Sequence, residues 1–338
     1  MENSSAPQLA QSAILLVGGF GTRLQPLTFK TPKPMLKVAG IPFTEHQIVK
    51  ARDAGITEIV LATSYLAEVF EPYFGDGKKF GIKISYAVEE VALGTGGAIR
   101  NAAQSLENDG SVVIFNGDVL SSHSLKQQMQ LHLEKSADVS LYLTEVADAR
   151  AFGAVELNGD SITTFNEKME NPPTNIINAG CYIFNRGIIE SIPAQRVVSV
   201  ERETFPQLLA SGAKLVGYVD RSYWLDIGTP AALLKATQDL IAGTAQSEAF
   251  DALVASGDFV VEDRSLVAKS AVVESNSHIS QGSFIDGGAV IGEGAIIDGS
   301  IIGAGAVVGA LASLRSTFVA EGTQIPEALI AENSFFGF

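Results

Sequence analysis

The sequence predicts an α/β protein, a mixed and mainly parallel sheet with helices on both faces, followed by a parallel β-helix. Three observations carry this. Apolar strand-like runs alternate with helical patterns through the first half. The first run breaks into Gly18-Gly19-Phe20-Gly21-Thr22-Arg23, a strand end suited to anions. In the last quarter, aliphatic residues recur every six positions.

The runs are 14–17, 58–62, 82–88 and 112–115, with helices between them. Thr44 and Gln47 form a capping box that announces the first helix, and Gly55 stops it. Ligands on such sheets bind beyond the carboxyl ends of the strands, so the glycine loop and Gly117-Asp118 are expected to share a cleft. From Val139 to Phe184 the strands crowd together, with turns at Asn158-Gly159 and Asn171-Pro172-Pro173, which predicts antiparallel or mixed additions to the sheet. A helix over 230–241 runs into Gly243-Thr244 and a small-residue connector. The expected organisation is a flexible N-terminus over 1–12, an α/β catalytic domain over 13–243, a connector over 244–262 and a repeat domain over 263–338.

The repeat register runs through Val267, Val273, Ile279, Ile285, Ile291 and Ile297, with a small residue four places after each of the first five. After a five-residue step it resumes at Ile302, Val308 and Leu314, and after another at Val319 and Ile325. The small-residue rule fails at Ile301 and Phe318, each just before one of those steps. Short flat strands stacking coil upon coil around a narrow aliphatic core account for this period. The pattern resembles the left-handed β-helix of hexapeptide-repeat proteins. Its open coil ends need capping or pairing, and Phe335-Phe336-Gly337-Phe338 is a candidate cap or oligomer contact.

The 338 residues carry a net charge of −15, which argues against nucleic acid as a partner. No apolar run reaches membrane-spanning length and residues 1–12 lack a basic, apolar signal, so a cytoplasmic protein without membrane association is expected. The single Cys181 lies in an apolar run, as a packing residue would. His46, His123 and His132 read as surface or packing residues.

The loop after the first strand is neither a Walker loop nor a dinucleotide fingerprint, since Gly-Lys-Ser/Thr is missing and Leu24 stands where the third glycine would be. With Arg23-Leu24-Gln25-Pro26-Leu27-Thr28 and Pro32-Lys33-Pro34 it resembles the signature of the nucleotide-sugar pyrophosphorylases, the sugar-1-phosphate nucleotidylyltransferases. That resemblance implies a Rossmann-like nucleotidyltransferase fold. It also implies attack by a sugar 1-phosphate oxygen on the α-phosphorus of a nucleoside triphosphate, with pyrophosphate leaving. The nucleophile is already ionised, so alignment and charge neutralisation carry the catalysis.

By the same resemblance, Gly18, Gly19, Gly21 and Thr22 hold the nucleotide, and Arg23 and Lys33 act on its phosphates. Glu90 with Gly94 and Thr95 resembles the base-reading element, although Gly94 to Gly97 also suit a close-packed helix start. Asp118 and Asp226 resemble the family's two metal-binding aspartates and are the expected Mg²⁺ pair. Glu167-Lys168 matches the sugar-phosphate element, except that Met169 replaces the usual proline. Asn178 and Gly153 fall in sugar-site segments, with Gly153 equally readable as a strand turn.

Within the family the chain most resembles the bacterial GDP-mannose pyrophosphorylases with a hexapeptide tail, which implies GTP and mannose 1-phosphate. Glucose 1-phosphate with UTP, dTTP or ATP is the alternative. An acyltransferase would need a histidine base in the helix, where only His278 is available, and a non-catalytic regulatory subunit would have lost the charged site residues present here. The open coil ends and the Phe-rich terminus suggest a homo-oligomer, with a dimer the simplest case.

Overall fold

The computed structural model describes residues 9–19, 21–63 and 67–338. Phe20 of the glycine-rich motif and the first eight residues of the 1–12 segment lie outside the described residues. The chain forms two compact units: Met1–Gly19 with Gln47–Val119 and His123–Trp224, and Phe20–His46 with Leu120–Ser122 and Leu225–Phe338.

The first unit is built on one sheet of nine strands. In chain order these are β1 (Ser12–Leu16), β2 (Glu58–Thr63), β3 (Lys83–Val88), β4 (Val112–Asn116), β5 (Val139–Glu145), β6 (Gly153–Asn158), β7 (Ser161–Glu167), β8 (Ile176–Phe184) and β9 (Leu215–Val219). Their spatial order is β3-β2-β1-β4-β8-β5-β9-β7-β6. The first four strands run parallel. Strand β8 then enters antiparallel to both β4 and β5, β9 lies parallel to β5, and β6 and β7 form a hairpin over Gly159. The expected mixed additions are thus present.

Alternate residues of the parallel strands are buried on both sides: Ile14 and Ile114 on one face, Leu15 and Val113 on the other. This is why those segments read as continuous apolar runs instead of alternating ones. Helix α3 (Gly94–Ala103) lays Ile99 and Ala102 into the cluster containing Ile14, Val60 and Ile114. The first strand starts at Ser12, inside the segment expected to be flexible. The Ser12 hydroxyl donates to Glu58 Oε1 at 2.6 Å, and this pair admits two polar side chains to the sheet.

The capping box is corrected by the structure. Helix α1 spans Phe43–Asp53, so Thr44 lies inside it. The Thr44 hydroxyl donates to Pro34 O, and Gln47 Nε2 donates to Asn116 O at 2.8 Å and Val119 O at 3.3 Å. Both side chains are buried, and they donate to tertiary carbonyls instead of accepting from helix N–H groups. The stop at Gly55, with φ +104°, is as read.

In the second unit a helix over Pro230–Ile241, capped by Thr229, matches its predicted bounds. The segment read as a connector holds a further helix, Glu248–Ser256, and the strand Phe259–Glu262. The repeats then stack as three parallel sheets. In one of them Leu266 pairs Phe284, Phe284 pairs Ile301, and Ile301 pairs Phe318. Ile285, Ile291, Ile297, Ile302, Val308, Leu314, Val319 and Ile325 fill the interior of the coils. Val273 shares their register but is 43% exposed, since its coil is stacked on one side only.

The five-residue steps have a structural cause. At these corners the small inward position moves to Ser300 and Thr317, both fully buried, so Ile301 and Phe318 start the next strands. The hydroxyls form a ladder: Ser300 Oγ donates to Leu314 O at 3.2 Å and accepts from Thr317 N at 3.0 Å, and Ser283 repeats the pattern one coil earlier. Phe335 continues the stack against Phe318 with centroids 5.4 Å apart.

Residues 21–46 belong to this unit. The Ala39 amide donates to Thr237 Oγ1, Lys37 pairs with Asp286 at 2.7 Å, and the ring of Phe284 lies against Gly40. Among the described residues no helix is long and apolar enough to cross a membrane.

His46, His123 and His132 are all buried packing residues. His46 bonds Ser247 Oγ at 2.6 Å and Val38 O at 3.1 Å, and burial lowers its pKa to about 4. Unfolding would return it to about 6.5, so the unfolded chain binds an extra proton between these values. Stability is therefore expected to fall as pH drops from about 6.5 to about 4, with His46 contributing roughly 3 kcal/mol of the loss. Urea unfolding of His46→Gln across that range should show a shallower pH slope than the parent protein.

Candidate active site

The carboxyl edge of the parallel strands carries the first group of predicted residues. Leu16 of β1 stands opposite Asn116 of β4, so Gly18 and Asp118 each lie two residues past the same rung. Neighbouring strands are about 4.8 Å apart. The Gly117 amide donates to Leu16 O at 3.0 Å, and a Cβ on Gly117 would lie 2.2 Å from that oxygen. Only glycine permits this turn, which holds the residue before Asp118 against the end of the first strand. Gln47, through its bonds to Asn116 O and Val119 O, clamps the same turn from α1. Gly19 is exposed, with open space where a Cβ would be.

The Gly94–Gly97 element proves to be a close-packed helix start. A Cβ on Gly94, whose φ is +70°, would lie 2.6 Å from Val198 O, and the Gly96 amide donates to that same oxygen. The Thr95 hydroxyl is engaged by the protein itself, donating to Glu201 Oε2 and accepting from Val200 N, both at 2.9 Å. Glu90 is exposed. Its neighbour Glu89 organises the loop by accepting from Leu93 N at 3.0 Å, and burial raises its pKa.

The sugar-phosphate residues are assembled by strand pairing. Glu167 pairs Gly153 across the β6–β7 hairpin, and Ile177, beside Asn178, pairs Ala154. A Cβ on Gly153 would lie 2.9 Å from Glu167 Oε2 and 2.7 Å from the Phe165 ring, so this glycine makes room for the carboxylate. Burial raises the pKa of Glu167, opposed by the ammonium of Lys168 at 3.6 Å and reinforced by the charge of Glu201. Lys168 sits at φ +53°, anchored by its amide to Phe152 O, where the family's proline would normally follow. Asn178 donates to Tyr182 Oη at 2.8 Å.

The cationic loop lies within the second unit. Gly21, left-handed at φ +60°, fits between Lys33 and Thr28, and the Thr28 hydroxyl donates to Gly21 O. A Cβ there would lie 2.9 Å from Lys33 Cβ, so the glycine sets how closely Lys33 folds against the loop. Thr22 and Arg23 are exposed on a short 3₁₀ turn. The Arg23 guanidinium lies over Gly228: a Cβ added there would meet its nitrogens at 2.9 and 3.0 Å. Gly228 follows Asp226 by two residues, so one short segment supplies a carboxylate and the seat for a catalytic-type arginine.

Among the described residues, no group of three or more histidine, cysteine or acidic side chains could hold a metal by itself. Scattered single carboxylates fit a hard cation that keeps water and phosphate oxygens as its remaining ligands, as Mg²⁺ does.

A glycine-ended strand and an acidic turn on the carboxyl edge of a parallel sheet define an α/β protein that binds its ligand there. The chain belongs to the nucleotidyl transferase family, whose model matches residues 12–243. It is 49% identical over 263 residues to the mannose-1-phosphate guanylyltransferase of Mycobacterium tuberculosis, covering 77% of this chain and 72% of that one. The mannose-1-phosphate guanyltransferase of Pichia angusta is 31% identical, covering 76% and 73%. HddC from Yersinia pseudotuberculosis superposes with a TM-score of 0.58 at 29% identity, covering 67% of this chain and 98% of HddC, and has also been solved with GMP-PN. Nucleotidyltransferases of this family generally use a divalent metal.

Gly228→Ala should retain the fold, since its Cβ meets only the tip of a flexible side chain. It should displace Arg23 and lower kcat/KM by about tenfold to a hundredfold in steady-state assays. Gly117→Ala meets a backbone oxygen instead. It should lower the thermal midpoint as well as the activity.

Proposed function

We propose that this chain transfers GMP from GTP to α-D-mannose 1-phosphate, releasing pyrophosphate and forming GDP-mannose. The 49% identity to a relative bearing that activity in its name supports the substrate pair. The rung that sets Gly18 beside the Asp118 turn is the structural observation that carries the reaction class.

In this reading a mannose 1-phosphate oxygen attacks the α-phosphorus, and the bond to the bridging oxygen of the β-phosphate breaks as pyrophosphate departs. Backbone N–H groups of Gly18, Gly19 and Gly21, together with Thr22, bind the nucleotide, while Arg23 and Lys33 neutralise its phosphate charge. Lys168 binds the sugar phosphate, and Glu167, Asn178 and the backbone at Gly153 orient the hexose. Asp118 and Asp226 are each assigned as carboxylate ligands of Mg²⁺, which when bound supplies charge neutralisation at the phosphates. The net charge of −15 makes these local cations necessary, because the general field repels both substrates. Glu90, Gly94 and Thr95 complete the nucleotide site as the element that reads the base. We assign the protein to the cytoplasm and to a homo-oligomer, with small-molecule substrates as its partners.

Pyrophosphate release over a grid of nucleoside triphosphates and hexose 1-phosphates with Mg²⁺ tests this reading. GTP with mannose 1-phosphate should give the highest kcat/KM, and a preference for UTP, dTTP or ATP with glucose 1-phosphate would overturn the substrate assignment. Asp118→Ala should lose on the order of a hundredfold in kcat. Normal turnover in that variant would remove Asp118 from the metal site.

A further inference from the structure

One buried hydroxyl joins the two halves of the chemistry within the first unit. Tyr182 is fully buried, its ring edge-on to Phe205 at 5.3 Å and to Phe184 at 6.2 Å. Its Oη accepts from Asn178 Nδ2 at 2.8 Å and from Asn116 Nδ2 at 3.3 Å. Asn178 belongs to the sugar segment, and its Oδ1 accepts from Gly180 N. Asn116 begins the turn that carries Asp118, and its backbone carbonyl is the one clamped by Gln47. Asn116 Oδ1 is buried with no hydrogen-bond partner among the described residues.

A phenol hydroxyl donates one hydrogen and accepts two. With both amides donating to it, its own hydrogen finds an acceptor only when one amide turns its oxygen inward. Asn116, with Oδ1 unsatisfied, has reason to do so; Asn178, with Oδ1 held by Gly180 N, does not. Burial holds the Tyr182 pKa well above its usual value, so the hydroxyl stays protonated and the link persists across the working pH range.

We propose that Tyr182 is a positioning residue whose hydroxyl couples the sugar-contact amide of Asn178 to the Asn116–Val119 turn bearing Asp118, so that sugar-phosphate affinity and metal requirement change together. This rests on the transferase reading above.

Tyr182→Phe keeps the ring packing and removes only the coupling atom. With the substrate pair that the wild-type protein uses, KM for the hexose 1-phosphate and the Mg²⁺ concentration for half-maximal activity should both rise by about fivefold, the scale of one lost hydrogen bond. KM for the nucleotide should stay within about twofold. Adding Tyr182→Phe to Asn178→Ala should raise the hexose 1-phosphate KM little further, because the link is already broken. Hydrogen exchange in the metal-free protein supplies a readout independent of turnover: amides at 116–119 and 178–180 should exchange about fivefold faster in Tyr182→Phe. Unchanged exchange there, or equal effects on all three kinetic constants, would overturn the proposal. A wild-type protein that releases no pyrophosphate with any pair would overturn the transferase reading alone, leaving the exchange comparison to decide the coupling.

Discussion

The close approach of Gly117 to the end of the first strand is the constraint on which the Asp118 turn depends. Its amide bonds Leu16 O, and no side chain fits where its Cβ would stand. Parallel pairing in register fixes the height of both strand ends, and this contact fixes the turn between them. An acidic side chain and a glycine-rich segment are thereby presented from one sheet edge without a dedicated loop to hold them.

Close backbone approach recurs wherever a charge has to be held. Gly228 seats the Arg23 guanidinium, Gly21 admits Lys33, and Gly153 leaves room for the Glu167 carboxylate. At Gly228 and Gly153 the missing Cβ leaves room for the charged ends of Arg23 and Glu167, and at Gly21 for the aliphatic stem of Lys33. For a protein of net charge −15 this matters, because freely moving surface cations would be weak counters to the overall field. Burial acts similarly on Glu167 and Tyr182, raising both pKa values and keeping their protonation tied to the local geometry.

Much of the architecture was legible because hydrophobic period and glycine punctuation are local properties. The parallel strands, the helix at Pro230–Ile241 and the six-residue repeat were all read from spacing alone. The errors fell where a side chain's partner is distant in sequence. Gln47 read as a helix cap, yet its amide bonds carbonyls of the Asp118 turn. Ile301 and Phe318 read as exceptions to a rule, yet the small buried residue stands one position earlier, at Ser300 and Thr317.

By itself the sequence determined the class of the sheet, the repeat solenoid, and the residue types that phosphate chemistry requires, because each is encoded in contiguous spacing. Only the tertiary structure decided how the chain divides. Residues 21–46, with Arg23 and Lys33, group with the C-terminal unit. The physical reason is that this membership rests on Lys37 with Asp286, Gly40 against Phe284, and His46 with Ser247, contacts across some two hundred residues or more that no local pattern records.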